Sequence, residues 1–223
     1  ATMSSYVSER ERIKNIHPFC KNPIDYIYIT NLEKILKKKG ISAKNILDIC
    51  QDTKAIWEPS ARVTRGGYQT IDNLFEKNNF KISYLKKMIN REVKFFFKKF
   101  GKRKDLIIKK KPKRYKIRAW FVKLISQGFQ KSHIHPTAWL SGVLYLNIPK
   151  NLKNNQGSLK LAHYGYDYPK KKGMKEFIFK PKNYDVIIFP SSLFHSTIPF
   201  YSNEERCVIP FDIVPAKQII KYN

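Results

Sequence analysis

Apolar residues recur at two different periods along the chain, and the change falls near residue 115. Before it the spacing is three and four, the period of a helix with one buried face. Over Tyr84–Phe100 the pattern is carried by Leu85, Met88, Ile89, Val93, Phe96, Phe97 and Phe100, with Ser83 as the expected N-cap and Gly101 as the stop. Shorter helices are expected over Leu32–Lys39, opened by Asn31 and closed by Gly40, and over Ala43–Cys50, opened by Ser42. Another is expected around Leu74-Phe75, opened by Thr70 or Asp72, and Gly66–Gln69 reads as a turn. After residue 115 the apolar runs shorten and alternate. Strands are expected over Lys116–Ile125, Trp139–Ile148, Ser158–Ala162, Lys175–Phe179, Asp185–Phe189 and Arg206–Val214. Turn signals separate them, among them Asn154-Asn155-Gln156-Gly157 and Pro181-Lys182-Asn183. The expected fold class is therefore mainly β (α+β), a sandwich or jelly roll with N-terminal helices packed on one face. Residues 1–115 and 116–223 read as two portions of a single domain.

Composition adds two constraints. Of 223 residues, 42% are apolar and 14% aromatic, enough to build one core and too many for a disordered chain. No stretch approaches the roughly 20 apolar residues of a membrane span. The N-terminus lacks the apolar core of a signal peptide. Three cysteines, Cys20, Cys50 and Cys207, form no C-x-x-C pair, so neither a disulfide scaffold nor a cysteine zinc site is expected, and a cytoplasmic location is the expectation.

Charge changes the picture more. Lys and Arg number 44 against 17 Asp and Glu, a net charge of +27. A surface this basic attracts polyanions. The excess is densest over Lys81–Arg114, where Glu92 and Asp105 are the only acids. Its second half, from Phe100 to Arg114, reads as an exposed loop or hairpin. Such a run is either a solvated face or a docking surface for an acidic protein or nucleic acid.

The candidate chemistry lies elsewhere. Residues 132–136 read Ser-His-Ile-His-Pro. In an extended segment residues i and i+2 face the same way, so His133 and His135 present two imidazoles to one point. His195 follows the strand expected at Asp185–Phe189 and the turn Pro190-Ser191-Ser192, and a jelly roll brings such strands together. Three neutral imidazoles on one side of a divalent metal leave other coordination positions open, as catalysis at a metal requires. Arg206 heads an otherwise apolar strand, where an inward guanidinium is costly unless an anion meets it, and its fork suits a carboxylate. On Trp139–Ile148, residues Ser141, Val143 and Tyr145 share one face, which makes Ser141 and Tyr145 candidate polar groups of the same pocket.

Four segments in order carry a family resemblance: His133-Ile-His-Pro-Thr-Ala-Trp-Leu-Ser-Gly-Val-Leu-Tyr-Leu146, Gly157-Ser-Leu-Lys-Leu161, Asp185-Val-Ile-Ile-Phe-Pro-Ser-Ser-Leu-Phe-His-Ser-Thr-Ile-Pro199, and Arg206. Together they resemble the 2-oxoglutarate/Fe(II)-dependent oxygenases related to the prolyl-hydroxylase-like enzymes, over roughly residues 117–214. Trp57-Glu-Pro and Gly66-Gly-Tyr-Gln-Thr resemble that group's N-terminal part more weakly. The resemblance implies a double-stranded β-helix core, Fe(II) held by His133, His135 and His195, and 2-oxoglutarate and O2 as co-substrates. It further implies that Arg206 meets the distal carboxylate of 2-oxoglutarate, with Tyr145 on the same group. The implied activity is a dioxygenase, a hydroxylase of an unidentified substrate.

Two positions depart from that pattern. Most of the wider superfamily has a carboxylate at the second ligand position, where this chain has His135, so the site carries one more unit of positive charge. Val208 replaces a serine common two residues after the arginine.

Two rivals remain on sequence grounds. Asp185…Pro190…His195 resembles the second motif of a cupin-type metalloprotein, but Pro136–Gly142 lacks the glutamate that the first cupin motif needs. A non-catalytic basic module binding nucleic acid or an acidic partner would bind more weakly as salt rises and would be indifferent to metal.

Overall fold

The structure is a computed structural model, and it describes residues 1–216. Its strands pair antiparallel throughout, in two sheets. The larger has the order β1 (Tyr28–Asn31), β9 (Asp185–Pro190), β6 (Leu140–Asn147), β11 (Arg206–Pro215), β5 (Val122–Gln130), β3 (Thr64–Thr70), β2 (Ala55–Trp57), and β4 (Tyr115–Ala119) also pairs with β11. The smaller has the order β10 (Phe194–Thr197), β7 (Leu159–Ala162), β8 (Glu176–Phe179). The helices are α1 (Thr2–Arg10), α2 (Glu33–Lys38), α3 (Ala43–Gln51), α4 (Phe80–Lys99) and the single turn α5 (Leu106–Lys109).

Strand alternation divides the buried side chains between two layers. On β6, Leu140, Leu144 and Leu146 join Val186 and Ile188 of β9 and Ile209, Phe211 and Ile213 of β11. This face packs on the helices, which contribute Leu36, Ile46, Ile82, Leu85, Ile89, Val93 and Phe96 among others. The opposite face of the same strands carries Val143, Tyr145, Ile187, Phe189 and Val208, and it meets Leu159 and Leu161 of the small sheet. The mainly β jelly roll with helices on one face is thus the observed architecture, and its inter-sheet layer is where the charged and polar candidates sit.

Local chemistry explains the element ends. Ser42 accepts from the Asn45 amide, and Asn45 reciprocates on the Ser42 amide, a capping box that opens α3. The long helix begins one turn earlier than Ser83, because the Asn79 side chain accepts from the amides of Lys81 and Ile82. Likewise Asn73, not Thr70 or Asp72, opens the 3-10 turn Leu74–Glu76 by accepting from Phe75.

Three other expectations are corrected. Gly66–Gln69 is not a turn but the middle of β3, where Gly66 (φ 60°) makes a bulge with a register shift between Arg65 and Gly67. The run Lys116–Ile125 is two strands, interrupted at Trp120-Phe121, where Phe121 exchanges hydrogen bonds with Thr70. The segment after Phe100 is anchored rather than a free loop. Leu106 and Ile107 donate to the carbonyls of Pro18 and Phe19, and Ile107 and Ile108 are buried.

All three cysteines are buried and free. Among the described residues no helix is long and apolar enough to cross a membrane.

Candidate metal centre

His133 and His135 lie between β5 and β6, and His195 lies on β10. Backbone pairing brings the two segments together. His133 and His195 exchange N–H···O=C bonds of 3.0 Å in both directions, and the His135 amide donates to the Ser191 carbonyl at 3.1 Å. As a result one ring nitrogen from each of the three imidazoles lies within 4.8 Å of the others.

Hydrogen bonding decides which nitrogen is free. His133 Nδ1 is 2.7 Å from the Lys131 carbonyl and His195 Nδ1 is 3.1 Å from the Leu193 carbonyl. A carbonyl only accepts, so Nδ1 carries the proton and Nε2 keeps its lone pair. His135 Nδ1 is 2.6 Å from Asp212 Oδ1, with the same consequence. Burial, and then the neighbouring His135, push the His133 pKa down to about 4. Burial, and then the other two imidazoles, hold His195 well below the usual histidine value. Both therefore stay neutral at ordinary pH, the state a metal ligand needs.

Arg206 and Tyr145 face the same inter-sheet layer. Arg206 is 1% exposed, and its Nε donates to the Gly157 carbonyl at 3.0 Å. Its Nη1 has no partner among the described residues, nor has the hydroxyl of the fully buried Tyr145. The guanidinium lies over the Tyr145 ring, 5.3 Å from its centroid. Burial lowers the pKa of Arg206 and raises that of Tyr145. A buried guanidinium without an anion is costly, by several kcal/mol.

Two cavities share His133 and His135 in their linings. The outer one, about 390 Å³, is lined by Arg62, Asp72, Arg118, Tyr166 and Asp212 among others. The inner one is narrow, about 20 Å³, and runs from the histidines to Tyr145, Thr197 and Arg206. Trp120, Gln130, His133 and His135 line both.

Every residue singled out from the sequence lines the inner chamber, but not all with a free polar group. Ser141 Oγ donates to Asp212 Oδ1 at 2.7 Å and is 3.2 Å from His135 Nδ1. Val208 lines the chamber beside Arg206 and offers no hydrogen bond there. The sequence reading missed Asp212, Trp120, Gln130 and Tyr166. For Asp212 a signal existed, because two-residue alternation from Arg206 through Val208 and Pro210 puts it on the same inner face. Trp120 has a buried indole N–H with no partner among the described residues, and nothing in its sequence neighbourhood marks it.

Residues 118–212 match the family model described as "Putative 2OG-Fe(II) oxygenase". Over that stretch, which is less than half of the chain, the sequence is similar to the 2OG-Fe(II) oxygenase family. Members of this family use Fe(II) and 2-oxoglutarate. Solved structures agree on the fold across nearly the whole chain. An oxidoreductase of the 2OG-Fe(II) oxygenase family from Burkholderia pseudomallei is 14% identical, with 97% of this chain and 91% of that one covered at a TM-score of 0.54. A prolyl hydroxylase from Trichoplax adhaerens is 15% identical, with 96% and 91% covered at 0.54. HygX from Streptomyces hygroscopicus, solved with nickel and 2-oxoglutarate, is 9% identical, with 85% and 83% covered at 0.58. No curated protein sequence matches. The strand core is therefore a double-stranded β-helix, and the likeness extends into the helical N-terminal half of the chain.

Proposed function

We propose that the chain is an Fe(II)- and 2-oxoglutarate-dependent dioxygenase that hydroxylates its substrate. The observation that carries this reading is a single chamber with complementary ends. At one end three imidazoles, each hydrogen-bonded through Nδ1, leave Nε2 for a ligand; at the other a buried arginine offers an unpartnered Nη1. The donor set fits the two groups that the family uses. His133, His135 and His195 would hold the metal. The Arg206 fork and the Tyr145 hydroxyl would hold the distal carboxylate of 2-oxoglutarate, fixing its orientation. The bound pair would supply oxidative decarboxylation of 2-oxoglutarate to succinate and CO2, coupled to transfer of an oxygen atom from O2 into a substrate C–H bond.

The inner chamber, at about 20 Å³, has room for little more than a water molecule. A five-carbon diacid enters it by displacing side chains. That displacement is offset by the ion pair Arg206 gains. The apolar walls, including Val143, Leu159, Phe189 and Val208, keep bulk water from the reaction.

The substrate approaches through the outer cavity, and we read it as anionic. A groove of about 960 Å³ lined by Lys86, Lys87 and Lys116 shares Ile71, Asp72, Asn73 and Arg118 with that cavity. The Lys81–Arg114 segment thereby borders the route to the metal.

The direct test is iron-dependent conversion of 2-oxoglutarate to succinate by the purified chain. His195→Ala is expected to abolish it; undiminished turnover would remove His195 from the ligand set. Arg206→Ala is expected mainly to raise the apparent KM for 2-oxoglutarate by 10-fold or more. An unchanged KM would exclude its role at the distal carboxylate.

A further inference from the structure

Asp212 is the acid nearest the three histidines. It lies on the inner face of β11, opposite Ser141 of β6 in register. Its Oδ1 accepts from His135 Nδ1 at 2.6 Å and from Ser141 Oγ at 2.7 Å. The Asp212 and His135 side chains are only 13% and 16% exposed. Arg118 stands opposite Asp212 in β4 but makes no salt bridge with it. The carboxylate is therefore spent on His135 and not on the nearest cation.

The consequence is electrostatic. Three imidazole ligands around a divalent ion leave the full charge of +2 uncompensated in a half-buried site, and among the described residues no carboxylate joins the cluster directly. One hydrogen bond away, Asp212 brings one negative charge to the ion through the His135 ring. It also fixes the tautomer, since a carboxylate partner keeps the proton on Nδ1 and leaves Nε2 basic. Ser141, donating to the same oxygen, holds the carboxylate in register.

We infer that Asp212 is a positioning residue that supplies, through His135, the negative charge that the second ligand position of this chain does not carry itself. The inference rests on the three-histidine reading of the site. It makes the Asp212–His135 pair a unit, in which a neutral imidazole hydrogen-bonded to a carboxylate stands where a carboxylate would otherwise touch the ion.

Metal affinity of the purified chain tests this without any turnover, by competition for Fe(II) or Co(II) against a chromophoric chelator. Asp212→Asn keeps the size and an acceptor oxygen but removes the charge, and is expected to weaken binding about 10-fold. Asp212→Ala removes both and is expected to approach 100-fold. The thermal midpoint of the metal-free protein should move little in Asp212→Asn, so that variant separates affinity from folding. The decisive comparison is a double-mutant cycle with His135→Ala. If Asp212 acts through His135, Asp212→Asn has no further effect on affinity in that background. Equal losses in both backgrounds, or no loss in either, overturn the inference. His195→Ala separates its failure from that of the underlying reading. If His195→Ala loses the metal while Asp212→Asn binds as the parent does, only the role of Asp212 falls; if His195→Ala binds normally, the three-histidine site itself falls.

Discussion

Each imidazole in the cluster is held by its outer nitrogen and left free at its inner one, and this division has a consequence for stability. His133 and His195 are neutral in the folded protein because burial makes their charged forms costly. Unfolding restores the ordinary value near 6.5. Between about pH 6.5 and 4 the unfolded chain therefore binds more protons than the folded one, and stability falls as pH falls. At neutral pH the effect is absent. The expected slope reaches about 1.4 kcal/mol per pH unit for each of the two histidines. Urea unfolding of the metal-free protein between pH 7 and 4.5 measures it, with His195→Gln as reference. A slope that is the same in both proteins would show that His195 is not buried neutral.

The same chemistry made the residues legible. Arg206 in an apolar strand is expensive unless an anion meets it, and His133 and His135 are spaced to present two imidazoles to one point, so their types and spacing stood out in the sequence. Asp212 did not, because an acid near the end of a strand reads as a solvated turn signal until its partner is known. Trp120 was hidden for another reason: it sits where the chain breaks its strand at Trp120-Phe121, a break the sequence pattern does not mark.

At the scale of elements, what could be read depended on whether a signal was local. The α3 helix is set by its own capping box, and the buried stripe of α4 by its own period, so both were visible. The short strands β1 and β10 take their conformation from distant partners, β9 and β7, and gave no periodic signal of their own. Gly66 and Gly67 were misread for the same reason. A Cβ at Gly67 would lie 2.3 Å from the Lys123 carbonyl oxygen, so these glycines serve close strand packing and not a turn.

Gly142 carries the same logic into the site. It sits in β6 between Ser141 and Val143, which both line the chamber. A Cβ there would lie 2.3 Å from Phe211 Cζ and 2.6 Å from the Ile187 carbonyl oxygen. The ring can shift, but the carbonyl belongs to the neighbouring strand. Gly142→Ala should therefore push β6 from β9 and destabilise the fold by about 1–3 kcal/mol, the usual range for an overfilled core. Adding Phe211→Leu should restore only part of the loss, because the carbonyl contact remains. Chemical denaturation reads both, and an unshifted midpoint for the single variant would contradict the close packing.

On the scale of the whole molecule, charge and chemistry occupy different layers that meet at one groove. The candidate metal centre lies between the sheets, while the exposed positions of α4 are Lys86, Lys87, Lys94, Lys98 and Lys99 with Phe80, Ser83 and Phe95. Glu92, the helix's one acid, is buried and accepts from Arg91 and from the Tyr28 hydroxyl. Like charges four residues apart, as at Lys94 and Lys98, weaken a helix unless an anion lies across them. Lys86, Lys87, Lys94 and Lys98 make no salt bridge among the described residues. An anionic substrate lying in the groove would meet Lys86, Lys87 and Lys116 and point toward the outer cavity. The prediction must be separated from the general attraction of a chain carrying +27. Reversing Lys86, Lys87 and Lys116 to Glu changes the charge by six units at the groove. Reversing Lys34, Lys38 and Lys39 makes the same change on exposed positions that do not line it. Binding of a single-stranded oligonucleotide and of polyglutamate, titrated with salt, should weaken at least about 10-fold more in the groove variant than in its control, and should become less salt-dependent. Equal losses in the two variants would assign the attraction to net charge alone and leave the groove without a role.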